Sequence, residues 1–196
     1  PLIIASGRSN SPNFFSYRRG KAILTHVRLS SQFFSMGYFY SEGLRKEGNQ
    51  YILHKKLDIP YYQPLPEKLR NKEGKYAHSP SIDDRFWNLM DFENRPVSNV
   101  KTMETIITLT ETDGAVTLQI NVQGLQNVPV TLELCFDAAG KLSGTTGPVS
   151  NNHFLEQGMG LYTLGNDTIQ FGPGANAHKN VTNLDGERYT THFGTL

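Results

Sequence analysis

Alternation of apolar and polar positions is clearest in the second half of the chain. Val128, Val130, Leu132, Leu134 and Phe136 alternate with polar or small residues through VPVTLELCF, the period-two pattern of a half-buried strand. Residues 105–112 and 115–123 flank Asp113-Gly114, the two-residue cue for a tight hairpin. GLYTL and TIQFG flank Gly165-Asn166-Asp167 in the same way, and Gly172-Pro173-Gly174 reads as a turn that ends the second of these strands. A Gly/Ser/Asn-rich loop is expected over 144–152, and a last strand over 187–193.

The first half carries the same signal less cleanly. Residues 1–12 are rich in turn formers and read as loop. Strands at 13–17 and 22–29 flank Arg18-Arg19-Gly20-Lys21. Strict alternation in the second of them puts Ile23, Thr25, Val27 and Leu29 on one face, and Leu24, His26 and Arg28 on the other. The aromatic-dense QFFSMGYFY, residues 32–40, predicts a strand covered on both sides, and 50–56 returns to complete a four-strand meander over 13–57.

Between the halves the pattern breaks. From Asp58 to Asn99 three prolines fall within seven residues (Pro60, Pro64, Pro66), followed by a basic, polar run. Proline removes ladder donors and fixes φ, so an irregular crossover is expected there. Within it, 81–91 suits one short helix, with Ser81 as N-cap and Asp83 and Asp84 in the first turn. Short antiparallel strands, frequent turns and one short helix at most predict an all-β antiparallel β-sandwich of jelly-roll or supersandwich type. It is read as one domain over 1–196: strand-rich 13–57, crossover 58–99, strand-rich 100–196.

A length of 196 residues suffices for such a core, and the net charge of +1 gives no global attraction to nucleic acid. No apolar run approaches the ~20 residues needed to span a bilayer. The single cysteine, Cys135, has no intrachain partner and reads as a buried thiol. A chain that starts at Pro1 and stops just after a strand-like stretch reads as a processed piece of a longer polypeptide.

Catalytic signatures such as G-x-S-x-G, a phosphate loop or H-E-x-x-H are absent from the sequence. His178, His192, Asp185 and Glu187 match no standard zinc spacing, so no metal or cofactor is expected, with structural calcium at Asp167 or Asp185 left open. Asn166 and Asn180 match the glycosylation acceptor pattern. Two clusters remain. One lies in or beside the crossover: Tyr61, Tyr62, Tyr76, His78, Arg85, Trp87 and Arg95. Aromatic faces suit the C–H faces of sugars, and guanidinium groups suit a sugar carboxylate or sulfate. Trp87 reads first as a core plug, which leaves Tyr61, Tyr62 and Arg95 as the exposed contacts. The other cluster, Arg18, Arg19, Lys21, His26 and Arg28, reads as a solvated face or as a face for an anionic ligand.

NFFSYRRGKAILTHVRLSSQFFSMGYF, PSIDDRFWNLMDFENRPVSN and LYTLGNDTIQFGPG together resemble the C-terminal β-sandwich of heparinase II/III-like lyases, large bacterial polysaccharide-degrading proteins. In that family a helical toroid supplies the catalytic tyrosine and the sandwich completes one wall of the cleft. The resemblance implies an accessory, carbohydrate-binding sandwich of a secreted or periplasmic protein. Its implied partners are a glycan, acidic in one variant of the reading, and a neighbouring domain of the same polypeptide. No catalytic residue carries over. Two other functions stay open. A lyase acting on uronic-acid glycans by β-elimination would use Arg28 or Arg85 on the carboxylate and His26, His78 or Tyr62 as base. A purely structural sandwich would use exposed aromatics to hold a partner domain.

Overall fold

Antiparallel strands account for nearly all the regular structure in the computed structural model, which describes residues 1–31, 33–34, 37–74, 91–124, 126, 128–149 and 152–175. In chain order the strands are β1 (Leu2–Ala5), β2 (Phe15–Arg19), β3 (Ala22–Ser31), β4 (Gly37–Tyr38), β5 (Leu44–Glu47), β6 (Gln50–Tyr62), β7 (Val97–Thr112), β8 (Ala115–Gln123), β9 (Val130–Phe136), β10 (Lys141–Ser143), β11 (Thr146–Val149), β12 (Asn152–Phe154), β13 (Gln157–Leu164) and β14 (Asp167–Ala175). Among the described residues the helical content is one 3-10 turn, Glu67–Leu69. The all-β, sandwich-like class expected from the alternation is the class observed.

The chain divides into two compact units: Pro1–Lys55 with Thr105–Val122 and Gln126–Leu196, and Lys56–Glu104 with Gln123–Leu125. The first holds the main core. Phe14, Phe15, Ala22, Leu24, Val27 and Leu29 come from the β1-β2-β3-β4 sheet and its approach, Leu53, Ile107 and Leu109 from β6 and β7, and Tyr162 and Ile169 from the β10-β13-β14 sheet. Burial of apolar faces from three sheets against one another is the driving term here, at roughly 25 cal/mol per Å² of apolar surface. Phe136 stacks on Tyr162 (centroids 4.7 Å, 19°), and the Tyr162 hydroxyl donates to Asp137 O at 2.7 Å, so the buried phenol keeps a partner.

β3 is the central strand of its sheet, and it departs from strict alternation. Leu24 pairs with Phe136 and His26 with Cys135, so one extra residue of β3 stands between two consecutive residues of β9. The resulting β-bulge flips the phase. Ala22 and Leu24 are buried before it, and Val27 and Leu29 after it. The expected facing of Ile23 with Val27 and Leu29 is therefore corrected, while His26 and Arg28, both beyond the bulge, do share a face. Neighbouring side chains take up the backbone groups the bulge frees. Ser16 Oγ donates to Thr25 O at 2.8 Å, and Asn13 Oδ1 accepts from Val27 N–H at 3.0 Å.

Other elements differ from expectation for traceable reasons. The turn-rich N-terminus includes β1, which pairs with β2 from Leu2↔Arg18 to Ala5↔Phe15; short edge strands carry little pattern. Among the described residues of the aromatic segment, Gly37–Tyr38 alone is strand; the chain turns after β3, where Phe34 takes φ +50°. β6 continues through Pro60 to Tyr62 before the crossover, and β7 begins at Val97. The loop over 144–152 is in part a small hairpin, β11 with β12. β14 runs through Gly172-Pro173-Gly174, accommodated by a register shift against β13. The expected helix over 81–91 and strand over 187–193 lie outside the described residues, apart from Asp91. Asp113 and Gly114 both take positive φ (+51° and +77°), as the tight β7–β8 hairpin requires.

Candidate functional site

Of the crossover cluster, Tyr61, Tyr62 and Arg95 belong to the second unit; Tyr76, His78, Arg85 and Trp87 lie outside the described residues. Tyr61 and Tyr62 end β6 and are 47% and 44% exposed. Successive strand residues face opposite sides, so the two rings do not form one platform. Tyr62 meets the Phe92 ring at 4.8 Å and 53°. Phe92 is carried there by a turn in which Arg95 N–H donates to Phe92 O at 3.1 Å and Asn94 donates to the Asp91 carboxylate. Gln63 ties the two strand ends: its N–H donates to Pro96 O at 2.8 Å and its Nε2 to Ser98 Oγ at 2.6 Å. Arg95 reaches Gln63 O at 3.5 Å, while its buried Nε has no acceptor. The result is a two-ring shelf with a guanidinium and amide groups at its edge.

In the first unit the outward face of β3 gathers a second group. Register sets His26 opposite Cys135, Arg28 opposite Glu133 and Ser30 opposite Tyr38. Arg28 and Glu133 are 14% and 29% exposed and lie 3.9 Å apart, an ion-pair distance longer than a hydrogen bond. The guanidinium stands 5.9 Å from the Tyr38 ring centre, and Tyr38 donates to Glu133 at 3.4 Å. Arg28 Nε is buried with no acceptor.

Local electrostatics follow from this packing. Burial, and then the Arg28 charge, hold His26 below its ordinary value of 6.5. Thr25 Oγ1 gives its one proton to Cys135 O at 2.8 Å, so at the 3.0 Å contact with His26 it accepts from Nδ1–H. Neutral His26 then keeps its lone pair on Nε2. Burial, and secondarily Glu133, push the Tyr38 phenol up, and burial pushes the Cys135 thiol up. Among the described residues Glu133 is the carboxylate beside Arg28.

Two of the remaining cluster residues, Arg18 and Lys21, make contacts at the β2–β3 turn. Arg18 Nε donates to Gly20 O at 2.8 Å, and Lys21 N–H donates to the Asp167 carboxylate at 2.8 Å, which places Asp167 in a turn-to-turn contact. Among the described residues no group of three or more His, Cys, Asp or Glu is placed to hold a metal ion. His178, Asp185, Glu187 and His192 lie outside them. No helix among the described residues is long and apolar enough to cross a membrane. Tyr38 and Glu133 were not singled out from the sequence. The available signal was that Thr131, Glu133 and Cys135 form the polar half of the β9 alternation.

Fold and side-chain placement together define an all-β, sandwich-like protein with polar and aromatic groups on strand faces. Compared with known proteins, the chain matches no family model, no curated protein and no solved structure.

Proposed function

We propose that this protein is an accessory, non-catalytic glycan-binding sandwich of a secreted or periplasmic polysaccharide-degrading protein, acting beside a neighbouring domain of the same polypeptide. The observation that carries this reading is the exposure of Tyr62 beside Phe92, with Arg95 and Gln63 at the rim. A half-exposed ring suits the C–H face of a pyranose, and rim donors suit its hydroxyls.

The lyase reading has one observation in its favour: His26, Arg28 and Tyr38 share a face. It ranks second because Glu133 already opposes the Arg28 charge, and Tyr38 is shifted away from acting as a base at neutral pH.

Titration calorimetry with a panel of neutral and acidic oligosaccharides tests the proposal, with absorbance of unsaturated products recorded in parallel. The expected result is binding without turnover. Tyr62→Ala should weaken it by ~1–3 kcal/mol while leaving thermal unfolding close to the parent's. Turnover by the purified protein, or unchanged affinity in Tyr62→Ala, would reject this reading.

A further inference from the structure

Strand β9 forms one margin of its sheet. β3 pairs with β2 and β4 along one side and with β9 along the other, and among the described residues no strand pairs with the far edge of β9. The odd-numbered residues of β9 turn their backbone groups toward β3. Asp137 N–H donates to Ile23 O, and Thr131 O and Cys135 O accept from the Ser30 and Thr25 hydroxyls. The N–H and C=O groups of Val130, Leu132 and Leu134 therefore point outward. Side chains of these residues lie on the core side of the sheet, in register with Ser31, Leu29 and Val27. Val27 and Leu29 are buried, yet Val130 and Leu132 are each 41% exposed, so the core face stays open at this margin. Edge strands are usually blunted by proline, by lysine or by a bulge of their own. VTLELCF has neither proline nor lysine, the extra residue of the bulge belongs to β3, and its one charge, Glu133, lies on the opposite face.

The strand is also complementary to itself. In antiparallel pairing about a two-fold axis at Leu132, that residue meets its own copy, Val130 meets the partner's Leu134, and Thr131 meets the partner's Glu133. The outward backbone groups then fall in hydrogen-bonded pairs, and apolar side chains meet apolar ones. On the polar face each carboxylate faces a hydroxyl and keeps Arg28 of its own chain on its other side. An axis at Glu133 would set two carboxylates face to face, and one at Leu134 would carry Val130 past the end of the strand.

We infer that this protein associates with a second copy of itself through β9, as a two-fold dimer in which the two β3–β9 sheets become one. The inference is independent of the glycan reading.

Sedimentation equilibrium through the micromolar range should give twice the chain mass of 22.0 kDa. Leu132→Lys should sediment at the chain mass at every concentration, because two ammonium groups would meet on the axis. Leu132→Thr, a milder change, should weaken the dimer at least about tenfold. Urea unfolding shows whether each variant folds. Cysteine pairs in a Cys135→Ala background test the register. Leu132→Cys should oxidise to a covalent dimer, since opposed residues of a hydrogen-bonded pair stand about 5.5 Å apart at Cα. Val130→Cys should not, its copy lying four strand positions away at about 13 Å, and adding Leu134→Cys to it should restore the link.

A monomer throughout the concentration range would overturn the inference. A dimer indifferent to both Leu132 substitutions would overturn β9 as the interface. Linkage of Val130→Cys without linkage of Leu132→Cys would overturn the two-fold register.

Discussion

Substitution of Gly20 by alanine isolates a contact that joins two distant hairpins. Gly20 has φ +59°, and a Cβ there would collide with the Asp167 carboxyl group. Alanine in the left-handed region costs roughly 1–2 kcal/mol. Asp167 must also swing away, giving up the 2.8 Å bond from Lys21 N–H. A hydrogen bond to a charged group contributes roughly 1.5–3 kcal/mol, and the exposed tip places this one at or below the low end. The expected total is about 2–3.5 kcal/mol. Gly48 is the internal control, since it has φ +58° and nothing within 4 Å of its built Cβ. Gly48→Ala should therefore cost only the backbone part, about 1–2 kcal/mol. Urea unfolding followed by far-UV circular dichroism measures both, with an unchanged slope as the condition for comparison. In an Asp167→Ala background the cost of Gly20→Ala should fall to that of Gly48→Ala, as a double-mutant cycle requires of coupled neighbours. Equal costs for the two glycines in the parent, or a Gly20 cost indifferent to Asp167, would refute the turn-to-turn contact.

Three further outcomes are expected. Ile107→Ala, at a fully buried β7 position, should lower stability by ~2–5 kcal/mol in the same urea assay. Tyr162→Phe keeps the ring stack on Phe136 but leaves Asp137 O only the longer 3.4 Å bond from Gly140 N–H, and should cost ~0.5–1.5 kcal/mol by the same measurement. His26 should titrate below 6.5 by NMR, and Arg28→Gln should raise its pKa only part of the way because burial is the larger cause. A histidine that is easier to protonate in the unfolded chain leaves stability unaffected above about pH 6.5 and lowers it as the pH falls from there through the folded value. His26→Gln should therefore flatten the acid-side decline of the urea midpoint.

Local order in the sequence was sufficient for the class of fold. The alternation through VPVTLELCF and the turn chemistry at Asp113-Gly114 and Gly165-Asn166-Asp167 are short-range properties, and a period of two with positive-φ turns leaves antiparallel hairpins as the economical solution. The shared face of His26 and Arg28 was legible for the same reason, because two residues separated by one lie on one side of a strand. Tertiary structure decided the rest. The bulge between Leu24 and His26 reverses which apolar residues of β3 point inward, and the backbone groups it frees are taken up by Asn13, just before β2, and Ser16, on β2. Strand β1 exists because β2 offers it an edge, which its four residues do not announce. Pairing of Arg28 with Glu133 spans 105 positions and depends on a register that neither strand encodes alone. Likewise Tyr62 meets Phe92 only because Gln63 and Pro96 are hydrogen-bonded across the crossover. Side-chain chemistry is written residue by residue, but which groups face each other is set by the cooperative packing of strands far apart in the chain.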